Sequence, residues 1–320
     1  MAVLTPLPLE SARAIAARFG LDVTQVRGIL AGSVNSNFEL SLASGERVFL
    51  RIYEEQDLLS AAGEARLLEH LAANGVPTPK PLAMIDGGGF LAEHAGKPVA
   101  LFPWVEGEAL CQARVTPAHA RRVGEALAGV HLAGMSFEGA PASRFRVGDL
   151  FVRLEEIECV ERSAEVADTA RVLRRGLERQ LERPPATEVP LVHGDLFRDN
   201  VLWGGASIAA LLDFESASRG SAAFDLMVTV LAWCFGDRLE LALARALVEG
   251  YATVRPLGDE RERLHDAAVF AALRFSITRI TDFELRPRGA GVYKDFRRFV
   301  ARLRAVEEIG ASAWPSALGV

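Results

Sequence analysis

Lysine is scarce in this chain of 320 residues: of 36 cationic side chains only Lys80, Lys97 and Lys294 are lysines. Cysteine is equally scarce, and Cys111, Cys159 and Cys234 are odd in number with neither CxxC nor metal-type spacing. That excludes a disulfide framework or a zinc cluster and leaves buried thiols in a reducing compartment as the expectation. The strongest apolar stretches, such as Val201 to Leu212, reach about a dozen uncharged residues where a membrane span needs about 20, so no membrane partner is expected. A basic block is also missing. Acids outnumber bases 42 to 36 for a formal charge of −6, which argues against nucleic acid as a partner. The opening MAVLTPLPLESARA places Glu10 ahead of any base and has no long apolar core, so it does not read as a secretory leader and a cytoplasmic location is expected.

What is present reads as globular. Half the residues are apolar and 24% charged, with 28 Gly and 15 Pro spread along the chain, enough for one large or two medium domains. Residues 9 to 19 predict a short helix closed by Gly20. Val26 to Leu30, Phe38 to Leu42 and Arg47 to Tyr53 then read as three antiparallel strands, with Ser44-Gly45 turning the chain into the third. A helix from about Asp57 to Asn74 stops at Asn74-Gly75, and Pro77, Pro79 and Pro81 enforce an extended passage. Further strands are expected at Leu82 to Ile85 and Phe90 to Glu93, about the turn Asp86 to Gly89, and at Val99 to Trp104. After the linker chemistry of Pro103 to Gly107 the texture becomes Ala/Leu/Arg-rich, predicting helices at about 117–134, 149–182, 222–235, 238–254, 260–284 and 292–309. One β-like interruption, Leu191 to Glu215, sits among them, and a polar-turned insertion in a helical region often carries function.

That insertion holds the strongest chemical signal. His193-Gly194-Asp195, then Asn200, then Asp213-Phe214 supply a carboxylate base and two oxygen ligands, the set that phosphoryl transfer from ATP needs beside an attacking hydroxyl and magnesium. Val201 to Trp203 and Ile208 to Leu212 can pair about Gly204-Gly205-Ala206. In a register centred between Ala206 and Ser207, Asn200 lies opposite Asp213, about 5 Å apart at Cβ. A one-residue slip undoes this, and an ordinary surface hairpin is the alternative.

HGDLFRDNVLW followed by LLDFE resembles the catalytic motif and metal-binding Asp of the aminoglycoside-phosphotransferase and choline-kinase superfamily. Within it, GSVNSNF, AWCF, LVEGYATVRPL and ALRF…TR..DF are most similar to bacterial homoserine kinases of the phosphotransferase type. The resemblance implies an α+β, two-lobed, protein-kinase-like fold: a small antiparallel-sheet nucleotide-binding lobe at 1–103 and a mainly helical catalytic and substrate lobe at 104–320. It implies ATP and Mg2+, with a small-molecule hydroxyl compound as acceptor. Asp195 and His193 would be catalytic, Asp195 as base; Asn200 and Asp213 would hold magnesium; Asp225 with His193 would brace the catalytic loop, although a plain helix N-cap also explains Asp225. Ser33, Asn35 and Ser36 resemble the nucleotide-positioning loop, where any polar hairpin turn would look alike.

The chain departs from the fold's pattern at Arg51, which stands where the phosphate-binding Lys is usual and offers a planar fork instead of a point charge. Strand alternation sets Phe49, Arg51 and Tyr53 on one face and Val48, Leu50 and Ile52 on the other. Glu64 shares a helix stripe with Leu68 and Leu71, so an Arg51–Glu64 pair would relieve a buried charge, the alternatives being a solvated strand Arg and a helix-edge Glu reaching water. The backbone of Phe102 to Val105 would meet adenine, with Trp104 either a platform for it or ordinary packing. For the acceptor, nine Arg/Lys against six Asp/Glu from His265 to Glu308 suit a small amino acid better than an aminoglycoside. Arg274, Arg279 and Asp282 are the candidates, and an intrahelical Arg279–Asp282 pair is the competing explanation for two of them. A choline, aminoglycoside or sugar kinase and a nucleotide-binding pseudokinase remain as other readings.

Overall fold

Alternation in the first third decides where the first core lies. The computed structural model describes residues 3–30, 34–183, 189–286 and 293–320, and the chain divides into two units, one running to Glu106 and the other from Gly107. In the first unit β1 (Val23–Ile29), β2 (Ser36–Leu42), β3 (Arg47–Ile52), β4 (Leu91–His94) and β5 (Lys97–Pro103) form one antiparallel sheet in the order β1-β2-β3-β5-β4. Phe38, Leu40 and Leu42 on β2, Val48, Leu50 and Ile52 on β3, and Val99 and Leu101 on β5 occupy one face. They bury against Ala12, Ile15 and Ala16 of α1 (Leu9–Ala17). The opposite face carries Arg51, paired in register with Asn37 and Ala100. α2 (Leu58–Ala73) is started by Asp57, whose side chain accepts from Ser60 N.

The expected strand at 82–85 is absent. Leu82 N donates to Leu101 O and Met84 N to Gly89 O, but the prolines just upstream lack N–H groups, and no ladder forms. The hairpin here joins β4 and β5 across Ala95-Gly96 instead.

The second unit is helical: α3 (Pro117–Gly134), α4 (Val147–Cys159), α5 (Ala164–Leu181), α6 (Ala222–Trp233), α7 (Leu241–Val254), α8 (Leu264–Arg279), α9 (Arg297–Ile309) and α10 (Trp314–Leu318). The helix expected over 149–182 is two. Arg162 Nη1 covers the carbonyls of Glu158 and Val160, and Ser163 accepts from Val166 N to start α5 afresh, so caps on both sides favour the break over continuation. The helix expected over 260–284 begins as a 3-10 turn, Gly258–Arg263, and ends in a π-helical turn, Ile280–Glu284. Two short ladders interrupt the helices: β6 (Leu191–Val192) with β9 (Ser218–Arg219), and β7 (Val201–Gly204) with β8 (Ser207–Leu211).

α6 is buried on nearly every side, with Asp225 and Thr229 the polar side chains in an otherwise apolar run. α3 and α7 meet at unusually close range. A Cβ on Gly124 would collide with the carbonyl oxygen of Leu247, and one on Gly250 with that of Arg121; only glycine lets the two backbones touch there. Of the three cysteines Cys234 alone is buried, while Cys111 and Cys159 are exposed, against the expectation of three buried thiols. Cys111 precedes a 3-10 turn that has no buried residue, and Cys159 is the last residue of α4. No helix among the described residues is long and apolar enough to cross a membrane.

Candidate active site

The loop after β6 is built around one carboxylate. Asp225, fully buried one turn into α6, accepts from His193 N and Gly194 N, each at 2.7 Å, and from His131 Nε2 at 2.9 Å. Ser221 is the N-cap of α6, accepting from Phe224 N, so Asp225 is free to brace the loop and does not cap. Burial pushes its pKa up, but the hydrogen bonds from His131 and the Gly194 amide oppose this, and the net shift is below the ordinary aspartate value.

Gly194 adopts φ +77°, where a Cβ would stand 3.0 Å from Ser216 O, and this left-handed residue turns the chain so that Asp195 leaves the braced segment. Both ring nitrogens of His193 serve the backbone. Nδ1 accepts from Asp195 N at 3.3 Å and Nε2 meets Leu212 O at 3.0 Å. His193 is fully buried, and its ring is taken up by the loop. Trp233 Nε1 donates to Leu196 O at 3.0 Å, and Arg198 reaches Gln112 Oε1 at 2.6 Å, mooring the rest of the loop.

Asp195 keeps an exposed edge, its side chain 25% accessible, and Arg274 Nη1 lies 3.7 Å from its Oδ1. Burial raises its pKa; Arg274 and Lys294 oppose, Asp213 reinforces, and the net shift is upward. Arg274 is 3% exposed and sits between Phe145 and Phe275, at 4.0 and 3.9 Å from the ring centres, while donating to Gly194 O at 3.0 Å. Burial lowers its pKa to about 10, leaving it charged at neutral pH.

The register expected for the β7–β8 hairpin is not found. Val201 pairs with Leu211 and Gly204 with Ser207, with an irregularity between Leu202 and Trp203. Asn200 O therefore accepts from Leu212 N at 2.8 Å, and Asp213 leaves the ladder at φ +62°, ψ +62°. Asn200 does not face Asp213 across the strands; it folds back, its Nδ2 donating to Asp195 O at 2.8 Å. Asp213 is one of the residues best able to tolerate a left-handed backbone. Among the described residues nothing hydrogen-bonds or ion-pairs with its carboxylate, nor with Asn200 Oδ1. An anionic oxygen and an amide oxygen left open in this way fit a hard divalent cation.

In the first unit Arg51 Nη1 stands 3.6 Å from Glu64 Oε1, with both side chains largely covered, and Gln56 donates to Glu64 Oε2 at 2.9 Å. Asn35 and Ser36 are held inward: Asn35 Oδ1 accepts from Glu54 N at 3.1 Å, and the Ser36 hydroxyl bonds Glu54 while accepting from Thr5 N. Ser33 lies outside the described residues. Arg47 stacks on the Trp104 ring at 4.6 Å and pairs with Glu106, so one face of Trp104 is already covered by a cation. Val105 is partly buried next to it.

Arg279 and Asp282 part company. The π-helical turn begins straight after Arg279 and is wider than an α turn, so three residues no longer return to the same face. Arg279 Nη1 donates to Asp295 O at 2.9 Å with its guanidinium on Phe299 at 4.5 Å, and burial lowers its pKa to about 10. Asp282 pairs instead with Arg153 of α4 at 2.8 Å, lining an open groove of about 570 Å³ with Thr281 and Arg286. Sequence reading missed Arg153, Phe145, Lys294 and His131 as neighbours of the site. The signal for His131 was available: a histidine in the apolar stripe of α3 with Leu127 and Val130.

A buried helix that pins a His-Gly-Asp loop, followed by an amide and a carboxylate on a short hairpin, in a chain whose first unit is built on a five-stranded sheet, defines a protein-kinase-like phosphotransferase. Residues 25–257 match the model of the phosphotransferase enzyme family, and the chain belongs to that family. A homoserine kinase of Methylocella silvestris is 32% identical, with 97% of each chain covered. One of Agrobacterium fabrum is 34% identical, with 95% of each covered. Among solved structures, an amicoumacin kinase in complex with AMP-PNP, Ca2+ and amicoumacin shares the fold at a TM-score of 0.68, with 16% identity over 95% of this chain and 93% of that one.

Proposed function

We propose that this chain transfers the γ-phosphoryl group of ATP to the side-chain hydroxyl of homoserine, giving O-phosphohomoserine. The observation that carries the reading is the likeness to homoserine kinases along nearly the full length. It extends past the matched family region into α9, so it is not confined to the parts that any ATP-using relative would keep.

The first unit is assigned to the nucleotide, with Arg51, steadied by Glu64, meeting phosphate charge and the backbone of 102–105 meeting adenine. The second is assigned to catalysis and the acceptor. Asp195 accepts the hydroxyl proton as the new oxygen–phosphorus bond forms and the bond to the departing ADP oxygen breaks. Asn200 and Asp213 would hold Mg2+, which when bound supplies positive charge against the phosphate oxygens. Among the described residues no group of three or more His, Cys, Asp or Glu converges on a metal position. Waters and phosphate oxygens would thus complete the shell, as is usual for magnesium. An amino-acid acceptor presents an ammonium and a carboxylate, and Asp282, Arg153 and Lys294 offer the matching charges.

The test is ADP release by the purified chain with ATP and Mg2+ across homoserine, choline, ethanolamine, an aminoglycoside and a sugar. Homoserine should give the highest kcat/KM with a phosphomonoester product. A better acceptor in the panel would replace the substrate assignment, and no transfer to any would replace the kinase reading.

A further inference from the structure

The bracing carboxylate is itself the end of a longer buried chain. Glu260 Oε2 lies 2.7 Å from Arg255 Nη1, Arg255 Nη1 donates to Tyr251 Oη at 3.0 Å, Tyr251 Oη meets His131 Nδ1 at 2.7 Å, and His131 Nε2 meets Asp225 Oδ2 at 2.9 Å. His131 and Tyr251 are both fully buried, on α3 and α7, the two helices brought together through Gly124 and Gly250.

Donor and acceptor capacity fixes the direction of every bond. A guanidinium can only donate, so the Tyr251 oxygen accepts from Arg255 and its own O–H points to the remaining neighbour, His131 Nδ1. That nitrogen must then be bare, and the ring proton sits on Nε2, aimed at Asp225. An imidazolium would reverse the middle link and leave the buried phenol proton with no acceptor among the described residues. Burial also raises the Tyr251 pKa, which keeps the proton on oxygen.

We propose that Arg255, anchored by Glu260, starts a one-way hydrogen-bond chain through Tyr251 and His131 that locks His131 as the neutral Nε2–H tautomer and thereby holds the Asp225 carboxylate on the amides of His193 and Gly194. Tyr251, His131 and Arg255 are positioning residues for Asp195. They touch no reactant, and the consequence for turnover rests on Asp195 being the base. Without the His131 donor, Asp225 loses one of the three bonds that set its rotamer, and the loop ahead of Asp195 loses a fixed support.

The experiment has two readouts on the full chain. Long-range 1H–15N spectra of histidine-labelled protein report the His131 ring directly; the expected pattern is the neutral Nε2–H form, and an imidazolium or an Nδ1–H tautomer overturns the chain. Tyr251→Phe should lower kcat by about tenfold to a hundredfold while KM for ATP and acceptor stays within about twofold, as for a small misplacement of a reacting group. His131→Gln, whose amide can put a donor near the Nε2 position, should recover activity that His131→Leu does not. Unchanged kcat in Tyr251→Phe, or equal loss in the two His131 variants, overturns the positioning role. Failure of the base assignment has a different signature: Asp195→Asn would keep full turnover, while the His131 spectrum would remain as expected.

Discussion

At the residue scale the site sets two carboxylates against each other. Asp225 is held below its ordinary pKa by a full set of donors, and Asp195 is raised above it by burial. For Asp195 the native state binds the proton more tightly than the unfolded chain. Its contribution to stability is therefore full below the ordinary value, about 3.9, and is lost as pH rises through the native value. At neutral pH the ionised group is a net cost. Asp195→Asn is thus expected to lower kcat by about a hundredfold or more and to raise stability by on the order of 1 kcal/mol, read from steady-state turnover and from melting at pH 7. A variant that loses both activity and stability would contradict this account. Arg274, sandwiched by Phe145 and Phe275, steadies the Gly194 carbonyl beside Asp195, the proposed base. Arg274→Met should cut kcat by about tenfold or more with little change in nucleotide binding by calorimetry. Arg274→Lys should restore only part of it, because an ammonium does not fill a planar slot between two rings.

At the element scale the catalytic geometry depends on how closely α3 approaches α7, and that approach depends on two hydrogens. Gly124→Ala or Gly250→Ala puts a methyl group into a backbone carbonyl. The helices must then separate, at a cost of about 1 to 3 kcal/mol, and the His131–Tyr251 contact on the same pair of helices lengthens with them. Denaturant melts should show the loss, and kcat should fall with it; a silent substitution would mean the helices can part without disturbing the loop. The β7–β8 hairpin carries the opposite lesson. Its sequence allows the symmetric pairing that sets Asn200 against Asp213, but the ladder shifts by one and an irregularity follows at Leu202 and Trp203. Register was not legible because Gly204, Gly205 and Ala206 impose no single turn, while Trp203 gains burial against Trp233 in the register found.

At the scale of the whole molecule, acid stability reports the bracing carboxylate. Asp225 has its native pKa depressed, so its contribution is present above about 3.9, the unfolded value, and is lost as pH falls through the lower native one. Melting temperature should drop steeply below about pH 4 in the parent chain. Asp225→Asn should be less stable than the parent at pH 7, by about 3 to 5 kcal/mol for a disrupted buried charge network, and flatter across that acid window. Parallel curves for the two would remove Asp225 from the account. By itself the sequence determined the sheet faces through the alternation of Val48 to Ile52, the helical character of the second unit and the family through HGDLFRDNVLW. These follow from periodicity and local chemistry, which short stretches of chain carry within themselves. Only the tertiary structure decided that α4 and α5 are separate, that Arg279 and Asp282 turn to different partners, that His193 faces the backbone, and that His131, Tyr251 and Arg255 line up behind Asp225. The partners of Arg279, Asp282 and His131 lie 16 to 129 residues away, a separation of which a linear reading has no measure, and the break between α4 and α5 is a choice between capping and continuation that local chemistry leaves open.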